Sequence, residues 1–83
     1  MDKTKEKVKE FKQFYIEKSM ELQGKPEYKK ALQSIAITVL YLENNSDEKH
    51  VFRDARNMLY DMQKKLEDKL GKQLIKRAVK YLK

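Results

Sequence analysis

Ala31–Leu42 reads ALQSIAITVLYL, twelve residues without a charge in an 83-residue chain that carries 20 Lys or Arg and 13 Asp or Glu. A bilayer-spanning helix needs roughly 17 to 25 apolar residues, so the run is too short to cross a membrane. It must therefore be buried against the rest of the chain or a partner. Tyr28, Leu32, Ile35, Val39 and Leu42 recur on one helical line, with Ala31, Ala36 and Leu40 beside it and Ile37 and Tyr41 toward the other face. A helix apolar nearly all round is usually surrounded by others.

Outward from this run the chain reads as helix throughout. With two Gly and one Pro, and few β-branched residues outside the run, strand signals are nearly absent. Val8, Phe11 and Tyr15, widened by Phe14, Ile16, Met20 and Leu22, predict a first helix from about Lys3 to Leu22. Gly24 is suited to the left-handed closing position, and Pro26 to the first turn of the next helix. Glu43, Asn44, Asn45 and Ser46 break the second helix, and Asn45 with Glu48 resembles a capping box, with Ser46 the alternative cap.

Val51, Phe52, Ala55, Met58, Leu59, Met62 and Leu66 mark a third helix, with Asp47 and Glu48 at its favoured acidic start. Leu70, Leu74, Ala78 and Tyr81, flanked by Ile75 and Leu82, carry the stripe to the end. Gly71 either separates helices three and four or sits near the first turn of a fourth that begins at Glu67 or Asp68, with the break expected between Lys64 and Lys72. The predicted architecture is an all-α, antiparallel up-and-down four-helix bundle formed by a single domain, residues 1–83. A three-helix bundle with a long bent last helix is its nearest competitor.

Composition narrows the function classes. Without cysteine there is no disulfide or thiolate metal site, so packing alone must hold the core. MDKTKEKVKEFK at the N-terminus lacks a secretory apolar run, and a cytoplasmic location is expected. Catalysis has little to stand on. His50 is the single histidine, and although Asp47, His50 and Asp54 share a helical face, metal sites in bundles gather ligands from several helices. No catalytic residue, metal or cofactor is assigned. Tyr15, Tyr28 and Tyr81 fall on core stripes, Tyr41 and Tyr60 less clearly so, and Met58 and Met62 read as core filler.

The net charge of +7 is concentrated at the C-terminal end. No acid follows Asp68, whereas Lys69, Lys72, Lys76, Arg77, Lys80 and Lys83 do. On a helical wheel the five lysines lie opposite the apolar arc and Arg77 lies at its boundary. A solvated face accounts for them, as does a partner-binding surface for acidic headgroups, an acidic protein patch or nucleic acid. These six are the candidate site.

Lys25–Asn45, KPEYKKALQSIAITVLYLENN, resembles the enterocin A immunity family, which protects bacteria against pediocin-like bacteriocins. Pro26 and Tyr28 opening the helix, the periodic Leu32, Ile35, Val39 and Leu42, and the Leu42-Glu43 close carry the likeness. A weaker echo runs through VFRDARNMLYDM, residues 51–62, so that roughly residues 20–83 are covered. The resemblance implies a cytosolic, non-enzymatic four-helix bundle. It would confer antimicrobial peptide resistance by engaging the membrane mannose-phosphotransferase permease, with or without bound bacteriocin, from the inner face. The membrane surface itself is a further contact.

In that family the C-terminal half encodes which bacteriocin is countered, and here it carries the basic helix. Members often have a C-terminal extension, and specificity from such a tail is not expected in a sequence ending at Lys83. The alternative is a small basic nucleic-acid-binding or regulatory helical protein. The presence of only Arg53, Arg56 and Arg77 as arginines counts against groove reading.

Overall fold

A computed structural model describes residues 3–83. Four α-helices follow one another: α1 Lys3–Glu21, α2 Lys29–Asn44, α3 Val51–Lys65 and α4 Lys69–Lys80, with a 3-10 turn at Pro26–Tyr28 before α2. Together they form an antiparallel four-helix bundle. The competing long last helix is excluded by Leu66 and Asp68, whose extended backbone (ψ 141° and 122°) separates α3 from α4.

Gly24 adopts φ +81°, the left-handed conformation that an L side chain resists by roughly 1–2 kcal/mol. It turns the chain after α1, as expected. Pro26 opens the 3-10 turn, and the Tyr28 N–H donates to the Lys25 carbonyl at 3.2 Å. Asn45 does not open α3. Its side-chain Nδ2 donates to the Tyr41 carbonyl at 2.9 Å and so closes α2. Residues 46–50 form turns, and α3 begins only at Val51. Asp47 and Glu48 thus precede the helix, not its first turn.

The core assembles Phe11 and Phe14 from α1, Ile35 and Leu42 from α2, Leu59 from α3 and Ile75 from α4, with Leu82 just beyond α4. Burying such a side chain contributes roughly 1.5–3 kcal/mol. Thr38 and Ser34 are buried among them, and each satisfies its hydroxyl on its own helix. Thr38 Oγ1 donates to the Ser34 carbonyl at 2.9 Å, and Ser34 Oγ to that of Lys30 at 3.0 Å. The uncharged run therefore places two polar residues in the core without an orphaned group.

Several expected core positions face outward. Leu40 is 59% exposed, Ile37 52% and Met20 73%, and Ile16 and Leu70 are also exposed. The run is not apolar because it is buried on every side: α2 buries one broad stripe and leaves its opposite face in water. Tyr15 and Tyr28 pack against the core, whereas Tyr81 stays 42% exposed while its ring meets Phe14 at 4.6 Å. Tyr60 is exposed and Tyr41 half-buried. Burial and the nearby Asp54 and Glu48 charges push the Tyr41 hydroxyl above its ordinary value of 10.0. Met58 and Met62 are half-buried, Met62 against the core.

α2 packs against all three other helices, and α3 packs against α4. The close approach of α2 to α4 depends on small residues. Gly71 lies buried inside α4, where a methyl group would come 3.2 Å from the Glu27 carbonyl oxygen and 3.5 Å from Ala31 Cβ. It is a point of close approach, not the break between helices three and four.

Gly71→Val is expected to lower stability by about 2 kcal/mol through overpacking. In Gly71→Ala, better helix propensity opposes the tight approach, and the net change stays within about 1 kcal/mol. Urea unfolding of both variants checks this.

Candidate functional site: the basic face of α4

α4 buries Gly71, Leu74, Ile75, Ala78 and Val79 and turns its lysines outward. Val79 belongs to this buried arc although the expected stripe omitted it. Lys69, Lys72, Lys76, Arg77, Lys80 and Lys83 are all exposed. Among the described residues, none of these six side chains enters a salt bridge or side-chain hydrogen bond.

The six do not form one cluster. Lys76, Lys80 and Lys83 border a hollow of about 310 Å³ between α3 and α4, together with Tyr60, Gln63 and Val79. Arg77 points to a different place, a smaller hollow of about 140 Å³ shared with Lys18 and Glu21 of α1. Lys69 and Lys72 stand at the start of α4. There Gln63 Nε2 donates to the Lys72 carbonyl at 2.9 Å.

Helix polarity treats these cations unequally. Arg77 and Lys80 lie in the last turn, where the dipole favours positive charge. Lys69 and Lys72 lie at the opposite end, where it does not, and Glu67 and Asp68 supply the compensating charge. Dipole stabilisation therefore accounts for only part of the basic face.

Residues from other helices fix the end of α4. Arg56 Nη1 of α3 donates to the Leu82 carbonyl at 2.6 Å, and Lys7 Nζ of α1 to the Lys83 carbonyl at 2.7 Å. Lys7 also lies over the Phe52 ring, 4.7 Å from its centroid. Both contacts join residues more than 25 positions apart, and no local spacing signals them. Tyr60 and Gln63 likewise join the site from α3 without a sequence motif.

The Asp47, His50 and Asp54 grouping does not form on one helix. Asp47 and His50 lie in the turns before α3, and Asp54 pairs with Arg53 at 3.1 Å. Among the described residues, no group of three or more His, Cys, Asp or Glu side chains is placed to hold a metal ion. No described helix is long and apolar enough to cross a membrane. Neither a family model, nor a curated protein, nor a solved structure gives a significant match to the chain.

Lys72→Gln, Lys76→Gln and Lys80→Gln combined should change unfolding stability by no more than about 0.5 kcal/mol per site, because no partner is lost. Arg56→Met removes a charged hydrogen bond to a carbonyl and should cost about 1.5 kcal/mol. Denaturant unfolding compares the two.

The Lys18 ammonium, 3.0 Å from Glu21, holds that carboxyl below its ordinary value of 4.5 by hydrogen bonding and charge. A depressed carboxyl stabilises the fold above its unfolded-state value, and the contribution is lost as pH falls through its folded-state value. In Lys18→Met the Glu21 titration followed by NMR should move up toward 4.5.

Proposed function

We propose that the protein is a bacteriocin immunity protein of the enterocin A type. It is a non-catalytic bundle whose last two helices meet the mannose-phosphotransferase permease, or the permease with bound pediocin-like peptide, at the cytoplasmic side of the membrane. The observation that carries this reading is the set of exposed, unpartnered lysines along α4. The sequence resemblance over residues 20–83 supports it by assigning specificity to the same half of the chain.

The physical role of such a face is recognition by charge. Exposed lysines without a protein partner can exchange water for carboxylates or headgroup phosphates on a partner, which steers encounter and selects an acidic surface. Lys76, Lys80 and Lys83 around the α3–α4 hollow offer a concave acceptor, with Tyr60 as its aromatic wall. Lys69 and Lys72 extend the face toward the start of α4. Arg77, turned toward α1, takes the smaller share.

Expression in a sensitive strain should raise survival against at least one pediocin-like peptide. Lack of protection across a broad peptide panel, with the protein confirmed present, overturns the reading. The combined Lys72→Gln, Lys76→Gln and Lys80→Gln variant should protect at least about tenfold less well, the scale of one lost charged contact. Full protection by that variant, folded as the parent is, removes the basic face from the mechanism.

A further inference from the structure

A second surface is independent of α4 and of the immunity reading. Where the end of α1 meets the start of α2, the seam opens into a groove of about 480 Å³, within the roughly 300–1,000 Å³ typical of small-ligand sites. Tyr15 and Leu22 of α1, Pro26 of the connecting turn, and Leu32 and Ala36 of α2 form its walls. Ser19 also borders it, but its hydroxyl is spent on the Tyr15 carbonyl at 2.8 Å.

Charge in the groove is one-sided. Lys25 and Lys29 line the end nearest the turn, and no Asp or Glu lines it anywhere. Glu21, which feels the Lys25 charge, is already paired with Lys18 on the other side of α1. The apolar walls also continue past the groove. Ile16 lies one turn before Ser19 and Leu40 one turn beyond Ala36, both exposed. Farther along, Lys12 pairs with Glu43 at 3.3 Å and fixes the antiparallel register of the two helices. From Lys12 to its end at Glu21, α1 runs about 14 Å along the seam at 1.5 Å per residue.

We propose that this seam binds one free fatty acid, with its carboxylate between Lys25 and Lys29 and its chain laid along Leu22, Leu32 and Ala36 toward Ile16 and Leu40. Three features select that occupant. Its lining runs about two helical turns along the seam, from Leu22 back to Tyr15 in α1 and from Lys29 on to Ala36 in α2, which suits one chain. Its cations stand together at one end, matching a compact anionic head. Gln23 and Gln33 apart, its other walls offer mostly carbon to the tail, and that burial supplies the driving force. Exposed apolar residues scattered singly need no such explanation, but an apolar concavity whose cationic end is lined by no acid does.

Titration of the isotopically labelled protein with dodecanoate below its micelle concentration, followed by amide NMR, tests this. Saturable shifts confined to the α1–α2 seam, around Ser19, Gln23, Lys29 and Gln33, are expected. Butyrate, with the head but not the tail, and dodecyltrimethylammonium, with the tail but the opposite head, should each bind at least about tenfold more weakly. Lys25→Glu with Lys29→Glu should weaken dodecanoate by about tenfold or more. Both positions are exposed, and an acid at the start of α2 suits the helix dipole, so the fold is retained. Ala36→Leu, which fills the groove, should weaken binding without reversing charge.

No saturable binding by about 1 mM, shifts spread over the whole molecule, or equal binding of dodecyltrimethylammonium overturns the proposal. Tighter binding of a lysophosphatidylglycerol than of dodecanoate overturns the fatty-acid assignment in favour of a phospholipid head. Each outcome is read on the purified protein without any bacteriocin, so failure here leaves the immunity reading untouched.

Discussion

The close approach of α2 to α4 sets the geometry of the whole bundle. Ala31 and the backbone near Glu27 come close enough to Gly71 that even a methyl group there is crowded. Because α4 seats itself against α2 as well as against α3, one helix contacts every other. Dispersion and water exclusion along α2 therefore serve three interfaces at once. This explains how 83 residues without a disulfide sustain a core of Phe11, Ile35, Leu42, Leu59, Ile75 and Leu82, each fully buried.

Much of this was legible in the sequence, and what was not has physical causes. Periodicity locates a stripe, and four stripes with turn residues between them predict a bundle. Periodicity does not say how wide a stripe its neighbours can cover, so Leu40 and Met20 read as core yet lie in water. A buried helical glycine and a helix-breaking glycine also look alike in one sequence. Only the partner surface, Glu27 and Ala31, distinguishes the two at Gly71. Asn45 was ambiguous for a similar reason, since its amide suits the end of one helix as well as the start of the next.

The basic face was legible as composition and spacing, but not as an assembly. The wheel set five lysines on one arc, and all five are exposed. It did not reveal that Lys76, Lys80 and Lys83 share a hollow with Tyr60 and Gln63, because those residues arrive from α3. Nor did it separate Arg77, whose neighbours are Lys18 and Glu21 of α1. Long-range contacts such as Arg56 to Leu82 join surfaces that no local pattern relates.

Scaffold and surface are energetically separable in this molecule. The described ion pairs, Lys12–Glu43, Lys18–Glu21 and Arg53–Asp54, are all at least partly exposed, and pairs of that kind contribute roughly 0–1 kcal/mol. With a net charge of +7, mutual repulsion among lysines opposes the compact state. Packing along α2 must overcome that repulsion, so the lysines of α4, Lys80 at the favourable end of the helix dipole apart, are carried by the fold without helping to make it. Charge carried against its own electrostatic cost, and left unpaired, stands exposed along α4. The same holds at the α1–α2 seam, where Lys25 and Lys29 meet no acid in the groove. Each helical hairpin thus presents its own cationic end on a shared apolar frame, and either surface can change without unfolding the other.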